Sequence, residues 1–386
     1  MIKFGIPSRK SNGIHFNDLF CGAGGLSIGF EEAGFHPSIA IDNNAQCVET
    51  YNFNHTNAPI AAQIDLASAD AISKIPLAPL TIGGPPCQGF SNANRQRSPF
   101  DQRNKLYVSF LNAAEAAKSD FIVIENVPGI LRISEEVTKE LKSRGFTAKP
   151  YLLEASKFGA PQKRKRVFWI GIRNYPQPAR DNFFRILEAT LLSHEASTPT
   201  LLKHAISDLP QLKAKTVRNA TPLENEQFGY TVDTNRNKRL TVYSSNVSLG
   251  FNNPFVYNHR TKYNNERDIE IYATLQPGED SLSKSIAHIN PYKNRDHIFK
   301  DKFYKLKYES LCKTITAHMY YDCHMYIHPK QARGLTPREA ARIQGFPDSY
   351  IFTGKPNEWY RQIGNAVSPL VARAVAKSVL SAIKSL

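Results

Sequence analysis

Between residues 14 and 173, short apolar runs alternate with glycine-rich turns and with longer segments whose apolar residues recur at helical spacing. The runs IHFNDLF, PSIAID, APLTIGG, FIVIENV and RVFWIGI read as strands, buried on both faces where the run is unbroken. Between them LSIGFEEAG, NAQCVETYNFN and LYVSFLNAAEAAKS read as helices. Strands alternating with helices form βαβ units, which predicts an α/β fold with a doubly wound parallel sheet. A chain of 386 residues has room for that sheet and for a second domain.

From about 174 to 332 the texture changes to a stretch rich in Asn, Thr, Tyr and Lys, read as short strands and loops. Helical pattern returns at 333. There Thr336-Pro337-Arg338-Glu339 carries a cap, a first-position proline and a capping-box glutamate. The closing SPLVARAVAKSVLSAI reads as an amphipathic helix that returns beside the first glycine-rich turn. The formal charge of +15 favours a polyanionic partner, nucleic acid before membrane. It is spread evenly over the three sections, so any polyanion site has to be assembled in three dimensions. The opening residues lack the apolar stretch of a signal peptide, and no run of 18 apolar residues occurs. A soluble, cytoplasmic protein with no membrane contact is expected. Five cysteines without a CxxC pair suit a reducing compartment. Cys312 and Cys323, with His318 and His324 nearby, lack a second close pair, and no metal is expected.

Four stretches carry chemistry. Phe20-Cys21-Gly22-Ala23-Gly24-Gly25 follows the first strand, and its glycines allow a tight turn with amides free for an anionic group. A strand-to-helix turn can need glycine for structure alone. Asp42 ends the second apolar run, where a nucleotide would present its ribose hydroxyls, and Asp65 ends the third, beside the expected adenine pocket. The turn departs from GxGxxG, which favours a smaller adenosine ligand over a dinucleotide. Gly83-Gly84-Pro85-Pro86-Cys87 holds a cysteine rigidly at a strand end, before a polar loop. That frame suits a nucleophile better than a buried structural thiol. Glu125 follows FIVI at a strand's carboxyl end, where open α/β sheets bind ligands. In Gln162-Lys163-Arg164-Lys165-Arg166, alternation directs Gln162, Arg164 and Arg166 to one side and the lysines to the other.

In this order the pieces resemble the DNA (cytosine-5) methyltransferase family of bacterial restriction-modification systems. Its blocks appear as DLFCGAGG at 18–25, GGPPCQGFS at 83–91, ENV at 125–127 and QKRKR at 162–166, then RGLTPREAARIQGFPD at 333–348 and QIGNAVSP at 362–369. Ser368 stands where family members often have a second proline. The resemblance implies a Rossmann-like S-adenosylmethionine-dependent catalytic domain from 1–173 plus 333–386, and a smaller inserted target recognition domain at 174–332. It implies that Cys87 attacks C6 of cytosine, that Glu125 bonds N3 and the exocyclic amine, and that Arg166, with Arg164 in support, contacts O2. Phe20, Cys21, Gly22, Gly24, Gly25, Asp42, Asp65, Asn365, Ala366 and Val367 match the S-adenosyl-L-methionine pocket, and S-adenosyl-L-homocysteine would be the product.

A stacked, paired cytosine has to be extruded before Cys87 can reach it. Gln88 and Ser91 are then expected at the flipped nucleotide, and Arg95, Arg97 and Arg103 at phosphates of double-stranded DNA. The resemblance further suggests a monomeric bacterial enzyme acting at the nucleoid, with a cognate restriction endonuclease acting separately. Two other readings compete. A tRNA cytosine-5 methyltransferase is disfavoured by the absence of a Cys-Phe-Thr tripeptide. A catalytically dead DNA-binding subunit is disfavoured by the presence of Cys87, Glu125, Arg164 and Arg166 together.

Overall fold

The computed structural model describes residues 4–55, 61–68, 70–86, 106–216, 231–232, 239–251, 253–293 and 302–386. Seven strands form one sheet: β1 (His15–Leu19), β2 (His36–Asp42), β3 (Ala62–Gln63), β4 (Leu80–Gly83), β5 (Phe121–Asn126), β6 (Thr147–Glu154) and β7 (Lys165–Ile172), in the order β3-β2-β1-β4-β5-β7-β6. All residues of β4 and β5 are buried, as expected of central strands covered on both faces. Helices α1 (Gly25–Glu32), α2 (Ala45–Asn54) and α3 (Leu106–Ala116) lie where the sequence predicts them, and α4 (Ser134–Ser143) is added.

The doubly wound α/β sheet is present with one correction, since it is not wholly parallel. β7 runs antiparallel to both β5 and β6. The connection from β6 to β7 is too short for the crossover that parallel neighbours need. β6 escapes the sequence reading because it is an edge strand that carries Pro150 and leaves Leu152 exposed.

The chain folds into two compact units. One holds Pro7–Gly159, Arg164–Ser197 and Ala366–Leu386, and the other Met1–Ile6, Ala160–Lys163 and Thr198–Asn365. These limits differ from the expected ones at both ends. Residues 174–197 join the sheet because α5 (Gln177–Ser193) buries Phe183, Phe184, Leu187 and Leu191 there. Residues 333–365 instead cluster with the variable stretch.

The second unit has little sheet. Its helices are α6 (Leu202–Ile206), α7 (Val242–Val247), α8 (Glu266–Thr274), α9 (Pro337–Gln344) and α10 (Pro356–Asn365), and a two-residue ladder joins β8 (Thr231–Val232) to β9 (Val256–Tyr257). Three buried arginines of the 333–348 block organise it. Arg333 grips Glu339 through both carboxylate oxygens (2.8 and 2.7 Å). Glu339 also accepts the Thr336 N–H (2.7 Å), closing the expected capping box. Arg338 donates to the carbonyls of Tyr257, Pro347 and Tyr350. Arg342 pairs with Asp348 and Asp208 (each 2.6 Å at the shortest) and reaches the Ala205 carbonyl. These three arginines are held inside the fold beside three acids, Glu339, Asp348 and Asp208, so none of the basic excess comes from this group.

In the first unit α11 (Pro369–Ile383) packs on α1 and α5. A Cβ on Gly29 would lie 2.3 Å from the Ala372 backbone, so glycine lets α1 and α11 touch. The C-terminal helix thus returns beside the first glycine-rich turn. The stretch Pro356–Ile383 is long and apolar enough to cross a membrane by composition, but it breaks at Ala366–Ser368 and most of it is buried.

Candidate active site

Strand order reverses between β1 and β4, and at such a switch point open α/β sheets leave a crevice beyond the strand ends. Leu19 and Gly83 are register partners there. A Cβ on Gly83 would sit 2.0 Å from the Leu19 carbonyl oxygen, so only glycine fits. The turn after β1 and the Gly84-Pro85-Pro86 segment after β4 therefore leave the sheet side by side.

Three residues of the first turn adopt left-handed backbone: Phe20 (φ 60°), Gly22 (φ 53°) and Gly24 (φ 78°). For a phenylalanine this is strained, and such strain concentrates at functional sites. The Gly22 N–H donates to Asp42 Oδ2 (2.9 Å) and the Asn44 N–H to Oδ1 (2.8 Å), so Asp42 ties the ends of β1 and β2 together. Burial pushes the Asp42 carboxyl up, against the hydrogen bonds from Asn44 and Gly22. With Asn43 as a third backbone donor, the carboxylate still keeps one lone pair unused. The space above Gly22 is open. Phe20 is half-buried, with its ring against the apolar core, whereas Asp65 is exposed and accepts the Ala67 N–H. Cys21, Gly24 and Gly25 are buried, and burial holds the Cys21 thiol protonated. Ala366 and Val367 are each 8% exposed; Asn365, at the end of α10, is open to solvent.

Sequence reasoning does not single out Asp18. It is wholly buried, accepts from Ser27 Oγ (2.5 Å), and leaves Oδ1 without a partner. Ser27 in turn accepts from Tyr51 Oη (2.9 Å). Burial pushes the Asp18 carboxyl up to about 8. A lone aspartate inside the first apolar run is the signal that could have found it.

Glu125, the last residue but one of β5, has its carboxylate nearly buried and is paired with Arg166 Nε (2.9 Å). Desolvation pushes its pKa up, and Arg166 and Arg164 only partly offset this. Gly84 makes room, since a Cβ there would meet Glu125 Oε2 at 3.0 Å. Asn126 donates to the Pro85 carbonyl (2.9 Å), fixing the chain two residues before Cys87. Arg164 donates to the Ala366 carbonyl (2.8 Å). A small cleft is lined in part by Arg164, Arg166, Val367 and Ser368, which joins the strand-end arginines to the last block. The expected alternation appears as buried Gln162 and Arg164, half-buried Arg166, and exposed Lys163 and Lys165. Cys87, Gln88, Ser91, Arg95, Arg97 and Arg103 lie outside the described residues.

Residues 14–381 match the family model for C-5 cytosine-specific DNA methylase. The chain belongs to this family. Members of the C-5 cytosine-specific DNA methylase family are DNA (cytosine-5) methyltransferases, and that is the activity of this chain. Among its relatives, the type II methyltransferase M.AgeI of Thalassovita gelatinovora is 31% identical, covering 95% of this chain and 99% of its own. M.DdeI of Desulfomicrobium norvegicum is 33% identical over 94% of this chain and 87% of its own. An E. coli protein described as a DNA modification methyltransferase encoded within a prophage superposes with TM-score 0.71 at 25% identity, covering 96% of this chain and all of that one. The S. pombe Dnmt2 methyltransferase shares the fold (TM-score 0.56, 18% identity, 95% and 98% covered).

The methylase family uses S-adenosylmethionine, and the turn after β1 fits such a group. It offers open space over Gly22, unused acceptor capacity on Asp42 and a strained Phe20 beside them. Among the described residues no cluster of three His, Cys, Asp or Glu side chains could hold a metal ion. Cys312 and Cys323 are separately buried, with thiols pushed up to about 12. Asp322 is engaged by Lys302, and His324 by Tyr272.

Proposed function

We propose that this methyltransferase modifies one short sequence in duplex DNA, with Cys87, Glu125, Arg164 and Arg166 as its catalytic group. The observation that carries the reading is the Glu125–Arg166 pair, set against Gly84, the residue that Pro85, Pro86 and Cys87 follow in the sequence. S-adenosylmethionine supplies an electrophilic methyl group, and Phe20, Cys21, Gly22, Gly24, Gly25, Asp42, Asp65, Asn365, Ala366 and Val367 would hold it. Cys21 would take part through its backbone, because its thiol is buried and protonated.

C5 of cytosine is a weak nucleophile until C6 is attacked. The Cys87 thiol, ordinarily near pKa 8.5, gives up its proton and adds to C6. Negative charge then develops toward N3 and O2. Glu125, whose pKa is raised by burial, is suited to hydrogen-bond N3 and to pass a proton to it as that charge develops. Arg166, positioned by Glu125 and supported by Arg164, donates to O2. After methylation, loss of the C5 proton expels Cys87 and restores the ring. Base readout is assigned to the variable stretch at 174–332, whose α5 residues nonetheless pack with the sheet. The naming of M.AgeI and M.DdeI as type II methyltransferases supports a place in restriction-modification, with an endonuclease acting separately.

Bisulfite sequencing of DNA from cells expressing the chain, beside a Cys87→Ser control, tests this. The expected outcome is 5-methylcytosine in a single short motif, present only with intact Cys87. Modification found in tRNA instead, or DNA binding without any methylation, would overturn it.

A further inference from the structure

One buried acid of the sheet unit has no part in the catalytic group or in the donor pocket. Asp18 is the last residue but one of β1, two places before the strained Phe20. A chain of hydroxyls ends on it. Tyr51 Oη of α2 donates to Ser27 Oγ of α1 (2.9 Å), which donates to Asp18 Oδ2 (2.5 Å). The Tyr51 ring stacks on the His55 imidazole (3.9 Å between centroids), and His55 Nδ1 pairs with Glu31 (2.5 Å). One carboxyl beneath the glycine turn thus fastens both α1 and α2.

That fastening leaves part of the group unused. Oδ1 is buried and meets no partner among the described residues. A carboxyl enclosed in this way is neutral unless a cation comes near it. No cation is among the groups that act on it: Asp42 of β2 and Glu31 of α1 are acids, and both favour the protonated form. Burial keeps the proton on Cys21 in the turn and on Tyr51. Cys47 of α2 is a half-buried thiol, and His55 is engaged by Glu31. β4, the other strand beside β1, carries no titratable side chain.

S-adenosylmethionine differs from S-adenosylhomocysteine by one methyl group and by the sulfonium charge that the methyl group brings. A cation seated at the turn favours the ionised form of Asp18, and a ligand without that charge does not. We infer that Asp18 reads the charge of the ligand held by the turn, releasing its proton to solvent when S-adenosylmethionine binds and recovering one when the product takes its place, so that donor is held in preference to product. The inference rests on the donor pocket proposed above. Without ligand, Asp18 keeps its proton up to about pH 8. A ligand that lowers this value binds more tightly as pH rises toward it, and the gain levels off above it.

The test is calorimetric titration of the full-length chain with each compound, in buffers of different ionisation heat. When S-adenosylmethionine binds at about pH 7.5, the parent is expected to release roughly half a proton more than Asp18→Asn. With S-adenosylhomocysteine the two proteins are expected to agree. The parent's preference for donor over product should grow about 10-fold between about pH 6 and about pH 9, relative to Asp18→Asn. Infrared difference spectra of the parent give a reading that needs no change at Asp18: the band of a protonated carboxyl is lost with the donor and kept with the product. Ser27→Ala, which removes the hydroxyl bonded to Asp18, should displace that band and so assign it. Equal proton release by the parent and Asp18→Asn, or a band that the donor leaves in place, would overturn the inference. So would an equal loss of affinity for both compounds with a lowered melting temperature, which marks a structural role. A parent that binds neither compound sinks the donor pocket itself, and this inference with it.

Discussion

Arg164 in the sheet unit and Arg342 in the unit around α9 are both buried, 2% and 0% exposed, but their settings differ. Around Arg164 the sheet satisfies its own backbone through ladders, and the side chains that share its cleft are largely apolar, among them Leu153, Phe168 and Val371. A charge buried there stands out, and it stands beside Glu125 and Arg166 at the strand ends. Around Arg342 the backbone is irregular, and guanidinium groups meet carbonyls directly, Arg342 that of Ala205 and Arg338 those of Tyr257, Pro347 and Tyr350. Burial of an arginine therefore does not mark chemistry by itself. What separates the two cases is whether the partner carboxylate is enclosed by the fold or stands at the edge of a crevice.

Exchanging one carboxylate or one arginine in each region should separate site from scaffold. The largest effect is expected from Glu125→Gln, which keeps the shape but removes the proton carrier. Methyl transfer should fall on the order of 10²- to 10⁴-fold in single-turnover assays, with the urea midpoint close to that of the parent. A matching loss of stability would move Glu125 into the scaffold class. Next comes Arg342→Leu, which takes from buried Asp208 and Asp348 the guanidinium that pairs with both. Urea unfolding should report a loss of about 3–5 kcal/mol; a loss below about 1 kcal/mol, the scale of an exposed pair, would erase the distinction.

The last test is read as a slope and concerns Asp18, whose folded pKa of about 8 lies above its ordinary value of 3.8. Over that window the folded chain keeps a proton that the unfolded chain has released, so stability contributed by the neutral carboxyl falls as pH rises. One proton changes stability by at most about 1.4 kcal/mol per pH unit. Asp18→Asn should remove that slope, read as the difference between urea midpoints at about pH 5 and pH 8 in the two proteins. Equal slopes would show that Asp18 is ionised in the fold.

Much of the sheet unit is legible in the sequence, for local reasons. β1, β2, β4, β5 and β7 lie on the five apolar runs, and α1, α2, α3, α9 and α11 follow the helical spacing with their caps and prolines. Two elements escape it. β6 has an edge strand's poor alternation. α5 carries a usable signal in Phe183, Phe184, Leu187 and Leu191, obscured by the polar texture that begins just before it. At the candidate site the residue types are legible, but not the Glu125–Arg166 pairing, the room that Gly84 leaves, or the proton held on Asp18.

By itself the sequence determined the strand and helix positions, the glycine turn, the capping box at Thr336 and the family, because periodicity, turn chemistry and motif order are properties of neighbouring residues. Only the tertiary structure decided that β7 runs against β5, that 333–365 joins the variable stretch, and that Arg164 meets the carbonyl of Ala366, 202 residues away. Those outcomes depend on desolvation and on hydrogen-bond partners, and both are supplied by residues remote in the chain.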